Sequence, residues 1–459
     1  MSYETTQKTA MTQSLTEGLA RWTVDLEELG EQARRATERA YLDGLASGLA
    51  GSQTPPAMMA RRVVERSGGH PQATLFPDGL KTSAPQAAFA NAVATHVLEL
   101  DDLHGPSTLH PAAPIIPAAL AVAEREGAGG AALLTAIAAG YEVAIRIGEA
   151  VNPAHYRFFH PTGTVATFGA AAASAKLMGL TEEETRWALG SAGTQAAGLW
   201  EFNADGTMSK HLHPGHAALC GIFAADLARE GFSGTRQVLE GRRGFFAAMA
   251  GDYDAARVTD GLGSGAPLKI ESMSYKRFPC CGHTHSGIDL ALDWSAEVAK
   301  EGLESLDVYS YGVAMDIVPN PEPKTPYQAK FSYPFVLAWA LVHGSLDVHS
   351  FAPESLEDEA VRALLPRITM HHEPAFDALY PGAYAVRLVL RTRSGRELVA
   401  LREHPKGSAH NPMSDEEMAA KARGMLGDVL GERLIAHVRS VWKQPRLDLR
   451  ELVEAPVEV

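Results

Sequence analysis

Cysteine is scarce: Cys220, Cys280 and Cys281 are the only three in a chain of 459 residues. Two of them are adjacent, so no disulfide framework is available and the chain is expected in a reducing compartment, the cytoplasm. Basic surface is missing too. The formal charge is −14 and no Lys/Arg cluster dominates any segment, which argues against a nucleic-acid partner, because phosphate binding needs a cationic face. The opening residues, Met1-Ser-Tyr-Glu-Thr-Thr-Gln-Lys, lack the charged-then-apolar layout of a signal peptide. Pro, His or charged residues are expected to break every long apolar run before a membrane span is complete. There is also no phosphate loop, dinucleotide fingerprint or Gly-x-Ser-x-Gly elbow; Gly261-Leu-Gly-Ser-Gly lacks the flanking strand and helix that nucleotide binding would require.

What the chain does have is a large apolar fraction, 46%, arranged with helical spacing from about Leu15 to Leu268. Ala131 to Gly148 shows it best, with apolar residues recurring every three and four positions. Gly179 closes one helix, and Thr181-Glu-Glu-Glu184 has the hydroxyl and carboxylate spacing of a capping box for the next. Near Lys276 the text changes. Leu306 to Met315 alternates like a strand, and Ala385 to Thr392 with Glu397 to Leu401 reads as a hairpin turning at Arg393 to Arg396. After the loop His404-Pro-Lys-Gly-Ser-Ala-His-Asn-Pro, a second capping box at Ser414 to Glu417 opens a terminal helical stretch.

Four polar stretches interrupt this apolar text. Glu99 to Pro111 packs three carboxylates and two imidazoles between the apolar segments Ala87 to Leu98 and Pro114 to Ala123. Burying such groups costs several kcal/mol unless they are paired or used, and acid and base sites are built from such clusters. Arg157-Phe-Phe-His160-Pro-Thr-Gly-Thr164 places a His and two hydroxyls at the mouth of a helix, where free backbone N–H groups favour an anion. Ser209-Lys210-His-Leu-His213-Pro-Gly-His216 reads as a Lys and three His preceding a helix. It lacks both a His-Glu-x-x-His helix and closed Cys/His spacing, so no metal is expected. The fourth stretch, Tyr275-Lys276-Arg-Phe-Pro-Cys280-Cys281-Gly-His283-Thr-His285, joins two cations to thiols and imidazoles. The repeated combination of His and Lys with Pro and Gly offers cations for carboxylates and near-neutral bases for a carbon acid.

These stretches, in this order, resemble the MmgE/PrpD family, which includes 2-methylcitrate dehydratases, iminodisuccinate epimerases and cis-aconitate decarboxylases. The resemblance rests on Asp101-Asp102 with His110-Pro111, His160-Pro-Thr-Gly-Thr, Lys176-Leu-Met-Gly-Leu and Lys210-x-Leu-His213-x-Gly215. It continues through Arg242-Arg-Gly-Phe-Phe, Lys276-Arg-Phe-Pro-Cys-Cys-Gly-His-Thr-His, Gln328-Ala-Lys330-Phe-Ser332 and Asn411-Pro-Met-Ser. It implies a mainly α fold, with a large all-helical domain formed by residues 1–273 and 404–459 and a smaller α+β lid domain, 274–403, inserted between them. It also implies a homodimer and cofactor-free, metal-free lyase or isomerase chemistry on a small di- or tricarboxylate, most readily dehydration. Carried over by position, His110 and His160 would transfer protons, and Lys210 and Lys276 would anchor carboxylates and stabilise enolate-like charge. His213, Cys281 and Lys330 would surround the substrate, and Asp101 would either join them or orient an imidazole from behind. Two departures matter: Leu103 stands where many relatives have Thr. Cys281 and Ile317 stand where decarboxylases carry His and Tyr, which ranks decarboxylation behind dehydration and epimerisation.

Overall fold

The computed structural model describes residues 14–453 and is mainly helical. Its central helices pack unusually closely because their contact faces are Ala and Gly. Residues Ala166 through Ala175 of the helix Ala166–Leu177 are all buried, between the helices Gly130–Val151 and Ser209–Arg229. A Cβ on Gly140 would sit 2.7 Å from the Gly169 carbonyl oxygen, so the two backbones meet where neither residue has a side chain. Both expected capping boxes form, at Thr181 with Glu184 and at Ser414 with Glu417.

The helix Gly130–Val151 corrects one expectation. At 22 residues it is long and apolar enough to cross a membrane by length and composition, and its charges do not break it. Glu142 and Arg146 lie one turn apart and pair at 2.6 Å inside the fold, where 89% of its most apolar window is buried.

Among the described residues, two large hydrophobic cores are accompanied by two smaller clusters. One large core gathers residues between Leu19 and Tyr275 together with Met413 to Val453; the other gathers Phe278 to Leu390. The second is built on a four-stranded sheet ordered Ile368–His372, Leu303–Ser310, Val386–Thr392, Glu397–Arg402, with the first pair parallel and the others antiparallel. The helices His285–Glu301 and Tyr333–His343 pack on it. The expected hairpin is present, but the alternating run from Leu306 ends as strand at Ser310. Gly312–Ile317 is helical, with Ala314 buried.

Candidate active site

The helix Ala84–Val97 delivers His96 in its last turn and then stops. Beyond it, Glu99 (φ 60°) and Thr108 (φ 48°) adopt left-handed backbone conformations that non-glycine residues rarely take, a local strain typical of functional loops. The loop is pinned on both sides. Leu103 and Ser274 exchange backbone hydrogen bonds at 2.8 and 2.9 Å. The Asp102 carboxylate accepts from the Ala112 N–H at 3.0 Å and the Tyr141 hydroxyl at 2.8 Å, fixing the start of the helix Ala112–Glu126.

The reversal at Glu99 turns its side chain inward, where it is 1% exposed. Two buried ammonium groups from distant segments converge on it: Lys276 Nζ donates to Oε2 at 3.1 Å and Lys210 Nζ to Oε1. Burial alone would raise the Glu99 carboxyl, but Lys210 and Lys276 hold it well below the usual carboxylate range. Burial likewise lowers Lys210, whereas Glu99 and Asp101 outweigh burial at Lys276 and raise it. Sequence reading selected Asp101 from this stretch and passed over Glu99. The signal was available: two lysines brought to one buried site require a counter-charge.

Lys210 and the histidines after it do not precede a helix; they form its first two turns, in Ser209–Arg229, which accommodates Pro214. The glycines of two motifs are there for close approach. A Cβ on Gly163 would lie 2.5 Å from the Ala197 carbonyl oxygen and 2.9 Å from His213 Cβ, and one on Gly215 would lie 2.9 Å from Phe89 and Val93.

His110 and His160 face the same cavity, ring centres 6.3 Å apart, with His96 packed against both at 5.1 and 5.6 Å. His110 Nδ1 lies 2.6 Å from the Asp102 carbonyl oxygen, which can only accept. The proton is therefore on Nδ1, and Nε2 is the basic nitrogen. His160 Nδ1 pairs with His213 Nδ1 at 3.1 Å, one donating to the other. Burial drives His96, His110 and His160 well below the ordinary imidazole value and His213 down to about 4. The imidazoles are neutral at physiological pH, and the charged groups that line the cavity are the two ammonium groups and the Glu99 carboxylate between them.

Glu99, Lys210, Lys276, His110, His160 and Cys281 form the polar end of this cavity, and Leu103, Tyr156, Trp200, Phe331 and Tyr384 its apolar walls. The Cys281 thiol, pushed up to about 11 by burial, keeps its proton. Trp200 Nε1 is a buried donor without a partner, whereas its neighbour Glu201 is exposed. The remaining residues assigned by position do not line the cavity. Asp101 lies behind it, accepting from His96 Nδ1 at 2.7 Å and 4.0 Å from His110 Nδ1. His213 backs His160. Lys330, lowered to about 8 by burial, donates to the Val97 and Leu98 carbonyls at 3.4 and 3.1 Å and so closes the end of the helix that carries His96. Ile317 is also outside the cavity lining. Among the described residues, no group of three or more His, Cys, Asp or Glu is arranged to hold a metal ion.

Comparison with known proteins adds to this geometry. Residues 17–257 match the family model of the MmgE/PrpD N-terminal domain, and residues 278–444 that of the MmgE/PrpD C-terminal domain. The chain is 28% identical over 471 residues to a cis-aconitate decarboxylase-like protein of Aspergillus oryzae, covering 96% of both chains. It is 29% identical over 455 residues to the cis-aconitate decarboxylase of Homo sapiens, covering 94% of this chain and 92% of the relative. With the cis-aconitate decarboxylase of Aspergillus terreus it shares 27% identity over 451 residues, 91% of each.

Proposed function

The chain belongs to the MmgE/PrpD family of enzymes, and we propose that it is a lyase that works without a cofactor at the carbon beside a carboxylate of a small di- or tricarboxylate. The observation that carries this reading is His110, a neutral base with Nδ1 committed to a carbonyl, standing beside the Lys210–Glu99–Lys276 bridge. A substrate carboxylate meets the two ammonium groups, which withdraw electron density and stabilise the enolate that forms when a C–H proton leaves. His110 Nε2 takes that proton. The positive charge it acquires is disfavoured in the empty buried site and becomes tolerable only beside an anionic substrate, so base strength and substrate binding are coupled.

Dehydration is the first reading for the step that follows. The electron pair left by the proton forms the C=C bond, the β-hydroxyl leaves, and the proton that makes it water comes from a group that carries one at neutral pH, the Cys281 thiol or the His160 and His213 pair. Decarboxylation is the second reading, favoured by the names of the relatives above. There no C–H proton leaves first: the C–C bond to a carboxylate breaks, carbon dioxide leaves, and the electron pair remaining on carbon takes one proton from the same donors. Cys281, inside the cavity, weighs against it, because decarboxylases of the family carry His at that place.

The test is NMR of citrate, methyl-substituted citrates, cis-aconitate and imino- and hydroxydicarboxylates incubated with enzyme in deuterium oxide. Solvent deuterium at the carbon beside a carboxylate with loss of water supports dehydration, and release of carbon dioxide supports decarboxylation. Exchange with inversion and no loss of mass points to epimerisation. Neither exchange nor product across the panel overturns the reading.

A further inference from the structure

The catalytic cavity is small. Its volume is about 20 Å³. Directly beside it lies an outer chamber of about 380 Å³. The two share Leu103, Lys276, Gly282 and Tyr384 as a common wall. In that wall Gly282 is packed against two side chains: a Cβ on it would sit 3.0 Å from Leu103 Cδ2 and 3.7 Å from Tyr384 Cε2. The backbones of Leu103, paired with Ser274, and of Tyr384, whose N–H donates to the Glu403 carbonyl at 3.1 Å, are fixed, so only side chains need turn aside to join the chambers.

The outer chamber offers a carboxylate no free cation. Lys276 is committed to Glu99, and Lys406 pairs with Glu417 at 3.0 Å. Glu149 holds Lys269 at 2.6 Å, whereas Glu271 accepts from the Leu268 N–H at 2.8 Å and pairs with no cation among the described residues, so this wall repels a further carboxylate. The wall facing the inner cavity is Leu103 and the Tyr384 ring, and Pro106, Pro381 and Pro405 continue the apolar lining. We propose that the outer chamber is a second subsite that receives a neutral alkyl substituent of the substrate, while the carboxylate head sits at His110 and the Glu99 bridge. The substrate class is then an alkyl-substituted di- or tricarboxylate. Leu103, which stands where a hydroxyl would otherwise polarise the passage, is the specificity-determining residue.

This inference rests on the carbon-acid reading, and its test separates the two. Citrate and its methyl, propyl and pentyl derivatives are titrated into the enzyme by calorimetry, with solvent deuterium exchange measured in parallel. Burial of each methylene strengthens binding about fourfold. After the cost of ordering the chain, pentyl should bind at least tenfold tighter than methyl. Ala409→Trp and His410→Trp, both at exposed positions on the chamber wall, should each lower the pentyl-to-methyl affinity ratio about tenfold. If the short acids bind and exchange but pentyl binds no tighter, or if the tryptophan variants leave the ratio unchanged, the subsite is refuted and the carbon-acid reading stands. If no member binds or exchanges, both fall.

Discussion

Acidification from about pH 7.5 to about pH 6.0 should cost this protein at least about 2 kcal/mol of folding free energy, and the figure follows from its buried imidazoles. Burial lowers His104, His211, His283 and His285 to about 3 and His155, His213 and His437 to about 4. His96, His110 and His160 also fall well below 6.5. In the unfolded chain each titrates near 6.5 and is about three-quarters protonated at pH 6.0, while the folded forms remain neutral. The unfolded state therefore binds more protons, and stability falls with pH from just above 6.5 down to the folded values. Each imidazole contributes about 0.8 kcal/mol over that interval. Asp43, Asp101 and Asp102, raised by burial, act in the opposite direction. A carboxyl that stays protonated in the folded state across this interval returns about 2 kcal/mol, so the ten histidines, about 8 kcal/mol together, outweigh three such carboxyls by at least about 2 kcal/mol. Urea unfolding followed by circular dichroism at several pH values measures it. A change below about 1 kcal/mol would refute the claim that these histidines are folded in their neutral form.

Glu99→Gln should destabilise by about 3–5 kcal/mol in the same assay, because it leaves two buried ammonium groups without their shared carboxylate. His110→Ala and His160→Ala should each lower turnover by about 10²–10⁴-fold with thermal midpoints near that of the parent. A large fall in the midpoint would mean that these rings are structural. Cys281→Ser should retain more dehydration than Cys281→Ala while both keep deuterium exchange; equal loss of exchange would remove Cys281 from the role of acid to the leaving group. Gly163→Ala should cost about 1–3 kcal/mol in urea unfolding, since its Cβ meets both a carbonyl and His213.

Features set by neighbouring residues were legible in the sequence. The capping boxes at Thr181 and Ser414 and the hairpin around Arg393 depend on spacing within a few positions, and they form as read. The helix start before Lys210 was misread because Pro214 and three histidines look like a break. Pro214 is the sixth residue of that helix, so it forgoes the bond that an N–H there would make to the Lys210 carbonyl, and the helix continues despite the loss. Asp101 and Glu99 are equivalent in composition, and only the left-handed turn at Glu99 decides which carboxylate meets the lysines. Lys330 and His213 carry the right chemistry at the right motif, but they spend it on the Val97 and Leu98 carbonyls and on the ring of His160.

The order in which the two cores are completed has a consequence for biogenesis. The core that contains Leu19 to Tyr275 also needs Met413 to Val453, with Leu426, Leu434 and Val441 almost wholly enclosed. A ribosome finishes Phe278 to Leu390 before it has made those residues, so the second core can close on the nascent chain while the first still exposes its alanine faces. Release of the final helix then seals the earlier segments. A fragment ending near residue 257 should therefore require a holding chaperone or the separate 404–459 peptide to stay in solution, although the matching family segment is entire.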